Sequence, residues 1–206
     1  MLSQANTEIF NSALPTPEKT KYVIKSGDTL AEIAEKFDTS ISAIQRGNDL
    51  DPTDPRIYPN DVLHIYQGDW RIKIIKDKFR LLLYDGDRLF KMYKVGIGRQ
   101  DRTPTGTFEV KNKIKEPAWT PPGKSIPYGD PENVLGARWI GIKPVGDTDK
   151  NLKGYGIHGT WKPESVGKAV SDGCVRLKNS NVNELFAIVT VGTPVVIKEK
   201  ADVDSS

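Results

Sequence analysis

From Arg71 onward the chain reads with a period of two. Ile72 and Ile74 alternate with lysines, and Phe79–Tyr84 is an apolar run that stops at Asp85-Gly86-Asp87. Such alternation sends successive side chains to opposite faces of a strand, and a Gly-containing Asp pair between two such runs signals a hairpin. Leu89 to Gly98 returns as the partner strand, and Thr103-Pro104-Thr105-Gly106-Thr107 turns into a further strand over 108–114. Gly136–Ile142, the segment ending at His158, the run beginning at Cys174 and Val195–Lys198 continue the β pattern. One clear helix is predicted over 181–189, with Val182, Leu185, Phe186 and Val189 on one face and Glu184 placed for a capping box with Asn181. Val166, Ala169 and Val170 suggest a short helical turn before Ser171. Between these elements, Pro117–Pro131 is rich in Pro and Gly and too long for an ordinary connector, which suits a lid or binding loop. The expectation over 71–198 is a mostly-β domain with one main helix, followed by a polar, frayed tail over 199–206.

The first part of the chain follows a different rule. Tyr22-Val23-Ile24-Lys25 is a short strand, and Gly27-Asp28-Thr29 is a turn in which Asp28 or Thr29 can cap a helix. Leu30, Ile33, Ala34 and Phe37 then recur at helical spacing. A second helix carries Ile41, Ile44 and Gln45 and ends near Gly47-Asn48. A Pro- and Asp-rich loop and the Tyr58–Asp61 turn lead to a closing strand, Val62–Ile65. Strand–helix–helix–strand over 21–66 makes a small βααβ domain, so the whole chain is α+β with two domains. Residues 1–20 are polar, end in Pro15-Thr16-Pro17, and read as a flexible segment.

The chemistry concentrates between Gly156 and Arg176. This stretch contains His158-Gly159-Thr160 and Ser171-Asp172-Gly173-Cys174-Val175-Arg176, with the one cysteine and one of the two histidines of the chain. A free thiol has a pKa of about 8.5, so it becomes a nucleophile only with a base or positive potential close by. His158 can be that base, Arg176 can supply the potential, and Gly173 lets a backbone approach Cys174. Taken alone, a single cysteine is more often a small buried hydrophobe. Two histidines and one cysteine do not make a zinc set, so neither metal nor cofactor is expected. His64, inside a terminal strand, is assigned no chemistry.

The two halves of this stretch, His158-Gly159 and Ser171-x-Gly173-Cys174-Val175-Arg176, match in order and spacing the signature of the YkuD-type L,D-transpeptidases of bacterial cell walls (the ErfK/YbiS/YcfS/YnhG group), which the chain resembles. The resemblance implies a β-sandwich in which Cys174 attacks a tetrapeptide stem and releases its terminal D-alanine. The acyl group then passes to an amine of a neighbouring stem. It implies His158 as acid–base partner, oriented by the carbonyl of Gly159, and backbone N–H groups of Gly173 and Cys174 around the oxyanion. Ser171 would shape the loop. Arg176 would bind the stem's carboxylate, hold the thiolate or form a structural salt bridge. Tyr155 would wall the cleft, with the Thr103–Phe108 turn beside it, while Trp119 would shape its mouth or staple its loop to the sheet. Hydrolysis by the same residues, as in an L,D-carboxypeptidase, and a non-catalytic wall-binding protein are the alternatives.

The segment Tyr22-x-Ile24-Lys25-x-Gly27-Asp28-Thr29-Leu30-x-x-Ile33-Ala34-x-x-Phe37 resembles the opening of the LysM domain. That likeness implies binding of N-acetylglucosamine-containing glycan, with Gly27, Asp28, Thr29 and Leu30 on one side of a shallow groove and Asp54, Pro55 and Ile57 on the other. Asn60 stands where the family usually has Gly, in a position expected to be left-handed. The partners implied are peptidoglycan stem peptides and glycan strands, in the cell wall or outside the cell, the spore wall included. A net charge of +3 gives no case for nucleic acid. No apolar run is long enough to span a bilayer, Met1–Phe10 does not read as a signal peptide, and a monomer is expected.

Overall fold

The computed structural model describes residues 2–54 and 56–201. It opens with helix α1 (Leu2–Asn11), followed by strand β1 (Lys19–Val23), helices α2 (Leu30–Lys36) and α3 (Ile41–Arg46), and strand β2 (Val62–Tyr66). Strands β1 and β2 pair antiparallel, Lys19 opposite Tyr66 through Val23 opposite Val62. Thr29 caps α2, accepting from the Glu32 amide while Glu32 reaches back to the Thr29 amide, a complete capping box. Ser40 caps α3. Ile24, Leu30, Ile33, Ala34, Ile44, Leu63 and Ile65 form the core of this unit. Ile44 and Gln45 are buried on α3, whereas Ile41, its first residue, is exposed. Asn60 does adopt a left-handed φ of 75°.

The larger unit consists of β3 (Trp70–Ile75), β4 (Arg80–Asp85), β5 (Arg88–Lys94), β6 (Ile97–Gly98), β7 (Gly106–Lys115), β8 (Arg138–Pro144), β9 (Gly156–His158), β10 (Ala169–Ser171), β11 (Val175–Arg176), helix α4 (Asn179–Ile188) and β12 (Pro194–Lys198). Eight strands form one mixed sheet in the order β11-β9-β8-β7-β12-β3-β4-β5, and β10 pairs with β6 in a separate two-stranded ribbon. The alternation read from Arg71 is visible as burial: Ile72, Ile74, Leu81, Leu83 and Phe90 are inside, and the intervening lysines and arginines are not. Helix α4 covers the sheet with Val182, Leu185 and Phe186. Its predicted capping box does not form. The helix begins two residues earlier than expected, and Glu184 pairs instead with Lys91 at 2.6 Å. The helical turn expected around 166–170 is a 3-10 turn at Pro163–Ser165, after which Ala169–Ser171 extends as β10 to pair with Ile97 and Gly98. The return strand expected over 89–98 accordingly breaks after Lys94, and its last residues leave the main sheet.

Residues 1–20 are not a flexible segment throughout. Helix α1 lays Phe10 into an aromatic cluster with Tyr66, Trp70 and Phe90, its ring 5.5 Å, 6.1 Å and 6.1 Å from theirs. Asn6 adds a hydrogen bond to the Phe90 carbonyl at 3.2 Å. The cause is long-range: two apolar residues, Ile9 and Phe10, meet aromatics far along the chain. The start of the tail is likewise engaged, since Glu199 pairs with buried Lys76 at 2.7 Å, whereas residues 202–206 lie outside the described ones. Among the described residues, no helix is long and apolar enough to cross a membrane.

Removing a fully buried phenylalanine ring costs about 3–5 kcal/mol. Phe10→Ala is therefore expected to lower the urea midpoint strongly, while Leu14→Ser, on an exposed residue of the same segment, leaves it unchanged.

Candidate active site

Register across three short strands places the reactive side chains. Strand β9 runs antiparallel to β8, with Trp139 opposite His158 and Gly141 opposite Gly156, and parallel to β11, with Arg176 opposite His158. Period-two alternation then puts Cys174, Arg176, Gly156 and His158 on one face. Ile140, Ile157 and Val175 occupy the other face and pack in the core with α4. The Trp139 ring lies nearly parallel to the His158 imidazole, centroids 6.0 Å apart at 22°. It rests on two glycines: a Cβ on Gly156 would sit 2.6 Å from the indole, and one on Gly141 2.8 Å from it.

His158 is 2% exposed. Its Nδ1 is 2.6 Å from the Gly159 carbonyl. A carbonyl only accepts, so Nδ1 carries the proton and Nε2 keeps its lone pair. Burial pushes the imidazole down to about 4; the Gly159 carbonyl opposes this, the Arg176 charge adds to it, and the Leu135 carbonyl opposes it again. The ring is therefore neutral at ordinary pH. Asn179 holds the backbone that presents this carbonyl, its Oδ1 accepting from Ala137 and Thr160 at 3.0 and 3.1 Å. Gly159 has to be glycine for this, because a Cβ there would lie 2.1 Å from that oxygen.

Cys174 is half-buried. Its Sγ donates to the Gly154 carbonyl at 3.7 Å, so the thiol points along β9 away from His158. Burial raises the thiol above its usual range, the Gly156 amide and the Arg176 charge pull it back, and the Asp172 carboxylate raises it further. The resting pair is thus thiol and neutral imidazole, about two strand residues apart along the same face.

The loop before Cys174 is tied at every turn. Ser171 Oγ donates to the Cys174 carbonyl at 2.6 Å and accepts from the Gly173 amide at 3.2 Å. This corrects the expected pair of oxyanion donors. Ser171 occupies the Gly173 N–H, whereas the Cys174 N–H donates to no group among the described residues. Thr103 Oγ1 donates to the Gly173 carbonyl at 2.8 Å, and Asp172 is held by Arg99 at 2.6 Å and Arg102 at 3.0 Å. Gly173 itself has φ 136°, and a Cβ there would meet the Tyr155 ring at 2.7 Å.

Arg176 forms no salt bridge among the described residues, so its structural ion-pair reading is not realised; its backbone bonds Gly96 in both directions, and its Nε is buried without a partner. Tyr155, Gly154 and Trp139 line a hollow of about 380 Å³ rimmed by Lys111, Lys143 and Lys153. The Pro117–Pro131 loop folds on itself through reciprocal Trp119–Ile126 backbone bonds of 2.8 Å, a bridge within the loop. Buried Asn133 gathers it by donating to the Pro117, Ile126 and Pro127 carbonyls, and Tyr128 packs on Trp161, just beyond Thr160. Thr103, Asn133, Asn179, Arg99 and Arg102 were not singled out from sequence. Thr103, Asn179, Arg99 and Arg102 reach partners distant in the chain, Asn133 works within its own loop, and only the Thr-Pro-Thr-Gly turn gave a local signal.

In the smaller unit the expected glycan-binding residues separate. Gly27 (φ 90°), Asp28 and Thr29 form the surface turn, Asp28 accepting from the Tyr22 hydroxyl and the Lys25 amide, each at 2.7 Å. Leu30 points into the core instead. Asp54 is paired with Arg56 at 2.5 Å, and Pro55 lies outside the described residues. Ile57 lines a hollow of about 370 Å³ with Asn48, Leu50, Arg56, Tyr58 and Asp61, to which the Gly27–Leu30 turn contributes nothing.

A thiol and a carbonyl-oriented imidazole thus share one face of the sheet, framed by glycines. The family model of the L,D-transpeptidase catalytic domain, YkuD, matches residues 69–197, and that of the LysM domain matches residues 22–65. The chain belongs to the YkuD L,D-transpeptidase family and is an enzyme of that kind carrying a LysM region. It is 41% identical over 133 residues to the putative L,D-transpeptidase YqjB of Bacillus subtilis, spanning 64% of this chain and 73% of that protein. It is 33% identical over 182 residues to the putative L,D-transpeptidase YkuD of the same organism, spanning 85% and 97%. An L,D-transpeptidase from Mycobacterium smegmatis shares the fold, with a TM-score of 0.52 at 19% identity over 68% of this chain and 63% of that one.

The buried imidazole predicts a pH dependence of stability. In the unfolded chain His158 takes up its proton near 6.5, and in the fold only near 4. Between those values the unfolded state binds more protons, so stability falls as pH falls, by about 3 kcal/mol over the window. Urea titrations from pH 7 to 4 should show this slope in the wild type and its loss in His158→Gln.

Proposed function

We propose that the protein is a peptidoglycan L,D-transpeptidase with Cys174 as nucleophile. The observation that carries this reading is the Nδ1 contact to Gly159, which puts the proton on Nδ1 and leaves the lone pair on Nε2 of a ring on the face that bears Cys174. In the first step the thiol proton passes to His158 Nε2 and sulfur attacks the carbonyl of the third residue of a tetrapeptide stem. The oxyanion is met by the Cys174 N–H. Collapse breaks the amide C–N bond, and His158 returns its proton to the departing D-alanine amine. In the second step an amine of a neighbouring stem attacks the thioester and gives its proton to His158. An amide forms and the thiol is restored.

The lysine-rimmed hollow beside Tyr155 and Gly154 suits a stem peptide, whose free carboxylates seek cations. Arg176, with no carboxylate partner among the described residues, supplies positive potential at the thiol and a further cation for the donor. The LysM region holds the enzyme on N-acetylglucosamine-containing glycan in the wall, a reading the hollow at Asn48, Ile57 and Tyr58 supports.

Intact-mass spectrometry with a disaccharide-tetrapeptide donor tests the assignment. Wild type should gain the acyl mass less D-alanine, and Cys174→Ala should gain nothing. Cross-linked dimers among the products support transfer, and tripeptide alone would make the enzyme a trimming carboxypeptidase. Absence of any acyl-enzyme or turnover would overturn the proposal.

A further inference from the structure

We propose that Thr103 is a positioning residue that aims the Cys174 N–H at the oxyanion; this rests on the assignment of Cys174 as nucleophile and of its amide as oxyanion donor. Thr103 is 1% exposed. Its Oγ1 accepts from the Gly98 amide at 2.7 Å and donates to the Gly173 carbonyl at 2.8 Å. A hydroxyl has a single proton to give, and here the Gly173 carbonyl receives it.

The Gly173 carbonyl and the Cys174 N–H are opposite ends of one planar trans peptide unit. Fixing the direction of one therefore fixes the other, pointing the opposite way. The unit needs such a fix, because Gly173 sits at φ 136°, where the absence of a side chain leaves rotation soft. Ser171 secures the two neighbouring peptide units through the Gly173 N–H and the Cys174 carbonyl. Thr103 secures the unit between them. It is itself anchored: a Cβ on Gly98 would lie 2.8 Å from the Thr103 amide and 2.9 Å from Gly173 Cα, so the two segments meet backbone to backbone. Arg99 and Arg102, from the turn leading to Thr103, grip Asp172 on the other side of the nucleophile loop.

A donor aimed this way matters for reactions that pass through an oxyanion and not for those that do not. Acetylation of Cys174 by p-nitrophenyl acetate does: sulfur bonds to the carbonyl carbon, the thiol proton goes to His158, and nitrophenolate leaves. Alkylation by iodoacetamide displaces iodide at a saturated carbon and forms no oxyanion.

Both rates should be measured on the full-length wild type, Thr103→Val, which loses the hydroxyl, and Thr103→Ser, which keeps it. We expect Thr103→Val to slow acetylation roughly ten-fold or more, with the alkylation rate and its pH midpoint held within about two-fold, and Thr103→Ser to restore acetylation. Equal loss of both rates would reduce Thr103 to general support of the loop, and unchanged acetylation would overturn the proposal outright. If Thr103→Val does not fold, the same pair of rates on Thr103→Ala decides. The ester carries no stem peptide, so failure of the tetrapeptide to acylate the wild type would sink the proposed substrate and leave this result standing.

Discussion

Parallel pairing over so few residues, β11 against β9, is a weak tie by itself, because a slanted ladder of that length contains few hydrogen bonds. Yet this pairing sets the thiol and the imidazole on one face of the sheet. The protein supports it from outside. Gly96 and Arg176 exchange backbone bonds of 2.8 and 2.9 Å, Leu177 donates to the His158 carbonyl at 2.8 Å, and the β6–β10 ribbon packs the loop before Cys174 against the turn after it. A slip of one residue would send Cys174 to the α4 side, among leucines and valines.

The electrostatic design follows from that burial. No carboxylate among the described residues props up His158, and a carbonyl does the orienting instead. A carboxylate there would favour imidazolium; a carbonyl fixes the tautomer and adds less positive bias. The site therefore rests as two neutral groups. Arg176 acts in the same direction on both, holding the imidazole unprotonated and easing ionisation of the thiol.

Much of the fold was legible because local rules were strong. The period of two from Arg71, the Asp-Gly turn and the Thr29 cap needed no distant partner to be read. Cys174, His158 and Gly159 stood out because reactive residue types are scarce in this chain and sit in a recognisable order. What sequence hid depends on contacts across the chain. Phe10 looks like one apolar residue in a polar leader until Trp70 and Phe90 arrive beside it. Glu184 fits a capping box by spacing, but an ion pair with Lys91 outbids that local option. The Gly173 amide is a reasonable oxyanion donor on the page of a sequence, and only the position of Ser171 Oγ shows it engaged.

The aromatic cluster of Phe10, Tyr66, Trp70 and Phe90 has a consequence for how the two units work as one object. Tyr66 ends the last strand of the small unit and Trp70 starts the first strand of the large one, their rings stacked 5.8 Å apart at 22°. Tyr66 also accepts from Arg88 at 3.0 Å and donates to Asp85 at 2.7 Å, which nails the junction to the β4–β5 hairpin. A small module joined by a loose string sweeps a volume around its enzyme; one joined by a welded elbow does not. The distance from the LysM region to the thiol is then built into the protein.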